Sequence, residues 1–184
     1  KHHGANNKKV KEYMDFASEH GFEGLLVEGW NRGWYPQWCC SGNGIPFSFT
    51  ETVDDFDIEM LTEYGSKKNI SLVGHHETGG QIQNYENQLE DAFKLYNKYG
   101  IKNIKTGYVN DVSKNIKRTD NNGDVIREWH HGQYMVNHFQ KVIELAAKYK
   151  LNIITHEPIK DTGLRRKYPN YISREGAKGQ EFNG

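Results

Sequence analysis

Apolar residues change their spacing along this chain in a regular alternation. Val10, Tyr13, Met14 and Ala17 recur at helical intervals across residues 7–19, and Gly21 follows as a stop. Gly24-Leu25-Leu26-Val27 is then an apolar run of strand length. Ile58, Leu61 and Tyr64 mark a second helix, for which Asp54 or Asp55 is the expected cap. Ile70-Ser71-Leu72-Val73 reads as a second strand. Leu89, Ala92, Phe93 and Tyr96 predict a third helix that stops at Gly100, ahead of a strand over 101–105. Met135, Phe139, Val142 and Ala146 predict a fourth helix, and 151–155 a fourth strand. Short buried strands alternating with amphipathic helices predict an α/β fold around a parallel sheet.

The connections are asymmetric. Those after strands are long and polar, over 28–54 and from the third strand to residue 131. Those before strands are short: 20–23, 67–69, 99–100 and 148–150. This predicts a (β/α)8 TIM barrel, whose carboxyl-end loops build the active site. A doubly wound sheet is the alternative, but no Gly-rich phosphate loop follows any strand. Four βα units and the start of a fifth are visible, whereas a closed barrel takes eight. Residues 1–184 are therefore expected to be the middle strands of a partial barrel, incomplete at both ends, whose open edges need partners.

Composition narrows the function classes. Lys plus Arg is 24 and Asp plus Glu is 24, so the formal net charge is zero. That leaves no basic footprint for nucleic acid and no polybasic membrane signal, and suits a neutral ligand such as a sugar. No apolar run approaches the ~20 residues of a membrane span. The opening KHHGANN is charged and polar, unlike a signal peptide. A hydrophobic content of 35% is low for a compact globule, which points to long polar loops within part of a larger core. Cys39 and Cys40 are adjacent, a poor disulfide geometry, and read as two free thiols.

The strand ends carry the chemistry. The first strand runs into Glu28-Gly29-Trp30-Asn31, the second into His75-His76-Glu77-Thr78, the third into Lys105-Thr106-Gly107-Tyr108 and the fourth into His156-Glu157. In a barrel these ends share one mouth, so ionisable groups at four consecutive ends point to a site. Glu175 and Glu181, six residues apart, join Glu157 as oxygen donors suited to a hard cation. His75, His76 and His156 equally support a His/Glu divalent site, which keeps a metal-dependent amidohydrolase or sugar isomerase open. Trp30, Trp34, Tyr35 and Trp38 either stack on sugar rings or pack the first loop, and Trp30, beside a strand end, is assigned to the site.

The stretches LLVEGWNRGW, HHETGGQIQNYE, IKTGYVND, GQYMVNHF, THEPIKDTGLRRKYPN and REGAKGQE cover nearly the whole chain in order. Together they resemble glycoside hydrolase family 97, and within it the inverting starch-utilisation α-glucosidase branch. The resemblance implies an N-terminal β-sandwich and a C-terminal β domain outside this chain, and a periplasmic or secreted location. It implies an exo-α-glycosidase acting on oligosaccharides, with Glu77 and Glu157 as bases and Glu181 as general acid. By the same resemblance, calcium is held by Glu157, Glu175 and Glu181; from their places at the strand ends, Trp30, His75, His76, Lys105 and His156 are expected to contact the sugar. Retaining members carry an aspartate nucleophile where this sequence has Gly107, so the resemblance implies inversion. A non-catalytic carbohydrate-binding relative is the remaining alternative.

Overall fold

The computed structural model describes residues 3–34, 46–109, 116–177, 179–180 and 183. Tyr35, Trp38, Cys39, Cys40 and Glu181 lie outside the described residues. The elements run α1 (Asn7–Glu19), β1 (Gly24–Leu26), α2 (Ile58–Ser66), β2 (Ser71–Glu77), α3 (Ile82–Lys98) and β3 (Asn103–Gly107). There follow β4 (Ile116–Thr119), β5 (Val125–Glu128), α4 (Gln133–Lys148), β6 (Asn152–His156), α5 (Leu164–Lys167) and β7 (Tyr171–Glu175).

Strands β1, β2, β3, β6 and β7 form one sheet in that order, and every pairing is parallel. A doubly wound sheet reverses its order at a switch point. This sheet keeps one direction and one order, as a barrel does. The fold is a partial (β/α)8 barrel. No described helix is long and apolar enough to cross a membrane.

Three expectations change in detail. The polar stretch before α4 contains an antiparallel hairpin, β4–β5. It stands on α3, where the Gln83 amide pairs with the main chain of Thr119, accepting at 3.0 Å and donating at 3.1 Å. The fifth strand is fully formed as β7. Helix α2 is capped by Asp57, whose Oδ1 accepts from Met60 N at 3.0 Å, because the helix starts at Ile58 rather than just after Asp55.

The core forms where the outer face of the sheet meets the helices. Leu72, Ile104 and Ile153 are buried with Leu89, Ala92, Phe93 and Tyr96 of α3 and Val142, Ile143 and Ala146 of α4. Gly74 permits the close approach of α3, since a Cβ there would lie 2.4 Å from the Tyr96 ring.

Four of the five described turns from a helix into a strand share one geometry. Each has a residue in the left-handed region: Gly21, Asn69, Gly100 and Lys150, with φ of 75°, 60°, 72° and 55°. The next amide reaches back five residues: Phe22 to Ala17, Ile70 to Gly65, Ile101 to Tyr96 and Leu151 to Ala146, all at 2.9–3.0 Å. These are Schellman closures, which satisfy the last helical carbonyls and turn the chain straight into the sheet. Gly21 and Gly100 suit the geometry; Asn69 and Lys150 hold it at a cost.

Lys150 is exposed, so its backbone strain can be tested without disturbing the core. Lys150→Gly should raise stability by roughly 0.5–1 kcal/mol and Lys150→Ile should lower it by about as much. Denaturant midpoints at unchanged m-value would measure both. A destabilised glycine variant would show that the turn is not strained.

Candidate active site

Strand β2 sets the site through its two-residue period. Gly74 and His76 face α3, and His75 and Glu77 face the opposite side. The parallel register places His75 beside Lys105 and Glu77 beside Gly107 on β3, and His156 on β6 beside Glu175 on β7. Lys105 Nζ bonds Glu28, which follows β1, and His75 Nε2 lies 3.7 Å from the same carboxylate oxygen. Burial pushes the His75 imidazole down to about 4, so it is neutral at physiological pH.

Glu77 is 3% exposed and lies over the backbone of Gly107. A Cβ at position 107 would stand 2.0 Å from Glu77 Oε2. Oε1 of Glu77 accepts from Gly79 N at 2.7 Å and from Val109 N at 3.0 Å. Burial raises the Glu77 carboxyl to about 7, with the charge of Glu157 adding to the rise against these two amides. Its ionised form therefore develops as pH rises through neutrality.

Glu157 follows β6 in the left-handed region, with φ of 44°. Such a conformation in a non-glycine residue persists only where the surroundings enforce it. Here Glu157 Oε2 accepts from Tyr108 N at 2.8 Å, and the Glu157 carbonyl lies 2.7 Å from His130 Nε2. His156, Glu157 and Glu175 each present one ligand atom, and the three atoms lie within 4.8 Å of one another. His156 Nδ1 is 2.8 Å from Glu175 Oε2. Two carboxylates converging at this spacing fit a hard cation through oxygen. The imidazole beside them also fits a softer divalent ion.

Of the residues singled out in the sequence, the sheet brings His75, Glu77, Lys105, His156, Glu157 and Glu175 to one side. Trp30 and His76 are corrections. Trp30 is 2% exposed, its indole donates to the His75 carbonyl at 2.7 Å, and its ring packs against Phe56 and Tyr96. The chain turns at Gly29, with φ of 77°, and folds the tryptophan back into the core. His76 is fully buried between Phe49 and Tyr96, with Nδ1 2.9 Å from the Tyr85 hydroxyl. With His75 and Glu77 facing inward, the residue between them must face the helices.

Sequence reasoning missed the main-chain donors of Gly79, Tyr108 and Val109, the pairing of Glu28 with Lys105, and His130. The Thr78-Gly79-Gly80 run just after Glu77 is a turn signal that could have suggested the first. The others carry no local signal.

Comparison with known proteins places the chain among its relatives. The family model described as Glycoside hydrolase 97 matches residues 1–177. A solved glycoside hydrolase family 97 enzyme from Pseudoalteromonas sp. strain K8, in complex with acarbose, is similar at 55% identity with a TM-score of 0.90. The match covers 98% of this chain and 27% of that one. A variant of the Pseudoalteromonas enzyme in complex with panose matches with the same identity, score and coverage. A retaining alpha-galactosidase from Bacteroides thetaiotaomicron is 28% identical over 181 residues, covering 97% of this chain and 22% of its own length. The chain thus spans only 22–27% of the length of these relatives.

The overlap of position 107 with Glu77 is measurable. Gly107→Ala should cost about 1–3 kcal/mol of stability, as overpacking does. Much of that loss should vanish in the Glu77→Ala background, a coupling of about 1 kcal/mol or more. Strictly additive unfolding midpoints would show that the Glu77 carboxylate does not occupy this space.

Proposed function

The chain belongs to glycoside hydrolase family 97, and on that premise we propose that it carries the catalytic centre of an inverting exo-α-glycosidase, an α-glucosidase acting on starch-derived oligosaccharides with calcium at the site. The whole enzyme would add an N-terminal β-sandwich and a C-terminal β domain, and would work in the periplasm or outside the cell.

The observation that carries this reading is the carboxylate of Glu77 over Gly107. A covalent route needs a side-chain nucleophile at the sugar. Position 107 offers none, and Glu77 fills the space that one would take. An inverting route needs a base with room for water and an acid on the other side of the glycosidic bond, with carboxyls roughly 6.5–9.5 Å apart. Glu77 suits the base. Two amides fix its Oε1, and burial makes it more basic than a solvated glutamate. Glu157, held by Tyr108 N, is the second base.

In this mechanism one of the two bases takes a proton from water as its oxygen attacks the anomeric carbon. Glu181 gives its proton to the departing oxygen; afterwards the base releases its proton to solvent and Glu181 takes one up. Lys105, His75 and His156 bind sugar hydroxyls. Glu157, Glu175 and Glu181 would hold calcium, which supplies fixed positive charge and coordination sites for hydroxyls when bound. The acarbose and panose complexes of the 55% identical enzyme support an α-glucoside substrate.

Two other readings have an observation behind them. The Bacteroides relative is named as a retaining alpha-galactosidase. His156 within the acidic cluster favours a His/Glu divalent site, in which zinc or manganese would replace calcium.

Proton NMR of early turnover by the full-length enzyme should show β-glucose before α-glucose from an α-glucoside. If the α-anomer comes first, the enzyme retains configuration and a different nucleophile must be sought. Chelation should abolish most activity and calcium should restore it, while Glu175→Gln should weaken calcium binding. Undiminished turnover by fully demetallated enzyme would remove calcium from the mechanism.

A further inference from the structure

Behind the site lies a buried polar chain that the proposed chemistry does not use. Tyr108 is 1% exposed, and its hydroxyl is 3.0 Å from His138 Nε2. His138, also 1% exposed, places Nδ1 2.8 Å from Glu86 Oε1. Lys141 Nζ donates to Glu86 Oε2 at 2.8 Å. Burial pushes the Glu86 carboxyl upward, but hydrogen bonds from His138 and Lys141 outweigh it and hold the group down to about 2. Burial keeps His138 below its ordinary range. An ionised Glu86 can only accept, so Nδ1 of the neutral imidazole carries the proton and Nε2 accepts from the tyrosine. The chain is satisfied at every link, which makes it rigid.

Its inner end is the segment that touches both bases. The amide of Tyr108 donates to Glu157 Oε2 at 2.8 Å, and the next amide, Val109, donates to Glu77 Oε1 at 3.0 Å. Two residues of main chain thus bridge two carboxylates that come from different strands. On one side the segment is tied to β2, where Thr78 N and Oγ1 both donate to the Gly107 carbonyl at 2.9 Å. On the other side the Tyr108 side chain is the tie.

We propose that Tyr108, anchored through its hydroxyl by the buried His138–Glu86 pair, is a positioning residue that sets the placement of the Glu77 and Glu157 carboxylates through the consecutive amides of residues 108 and 109. The inference rests on the reading of those glutamates as bases. It assigns a function to two helix residues that never touch the sugar: Glu86 on α3 and His138 on α4.

The test uses the full-length enzyme and follows kcat, KM and melting temperature together. Tyr108→Phe removes one buried hydroxyl and keeps the ring. It should lower kcat about 10-fold, equivalent to about 1.4 kcal/mol of barrier, with KM changed less than about twofold. His138→Asn, whose amide mimics Nδ1 and cannot reach Tyr108, should do the same. His138→Gln, whose amide oxygen reaches about as far as Nε2, should recover most of the rate. The Tyr108→Phe/His138→Asn double variant should be no slower than either single one, because both cut the same link. An undiminished kcat in Tyr108→Phe would overturn the proposal. So would equal kcat losses in the Asn and Gln variants that merely track melting temperature. Glu77→Gln and Glu157→Gln, assayed alongside, separate the two levels. If either keeps the wild-type kcat, the assignment of the bases fails and the anchor has nothing to position. If both abolish turnover and Tyr108→Phe does not matter, the anchor alone is refuted.

Discussion

Glu77 ends a buried strand with a carboxylate that lies over the backbone of its neighbour, and the rest of the site is arranged around keeping it there. A carboxylate this deep is costly unless it is hydrogen-bonded. The chain meets that need with main-chain amides rather than a cation. Gly79 supplies one because the Thr78-Gly79-Gly80 turn doubles back, and Val109 supplies the other from the far side of β3. Amides stabilise the charge without quenching basicity as a lysine would. Burial therefore still dominates, and the group titrates near neutrality. Glycine at 107 is the steric half of the same arrangement, since any side chain there would compete for the carboxylate's space.

That constraint propagates through register. Because β2 and β3 are parallel and paired residue for residue, placing Glu77 beside Gly107 also places His75 beside Lys105. Lys105 then meets Glu28 at the end of β1. Across β6 and β7 the same logic brings His156 to Glu175. A one-residue slip would turn each inward group onto the helix layer. The buried outer faces of β2, β3 and β6 resist that slip, so the core and the site specify each other.

Much of this was legible in the sequence. Helical spacing at Leu89, Ala92, Phe93 and Tyr96 and at Met135, Phe139, Val142 and Ala146 located α3 and α4, and all eight residues are buried. The strand ends located Glu77 and Glu157. Other features left no comparable trace. In β5, Val125-Ile126-Arg127-Glu128 offers no apolar stripe, since the hairpin meets α3 through the Gln83 amide and only Ile116 of β4 enters a buried apolar cluster. A strand end does not by itself tell which of its residues face the mouth. The two-residue alternation sends His76 away from the mouth, and the turn at Gly29 withdraws Trp30. Tyr108 and Val109 act through amides, which every non-proline residue has, so no side-chain pattern distinguishes them. The pairing of His138 with Tyr108 joins residues 30 apart, and its partner Glu86 is 52 positions from the histidine.

The hairpin β4–β5 has a consequence for how such an enzyme could diversify. It is inserted between two fixed points, the bridging segment at 107–109 and the histidine at 130 that meets the Glu157 carbonyl. Each is hydrogen-bonded to the barrel without help from the hairpin, which leans on α3 through Gln83 and sets Ile116 in the buried cluster of Ile82, Tyr108 and Met135. Lengthening, trimming or exchanging the hairpin beyond Ile116 would therefore leave the bonds that hold the Glu77 and Glu157 carboxylates in place. Loop grafting here is a route to reshaping one edge of the barrel mouth on an unchanged frame, and small inherited insertions take the same route.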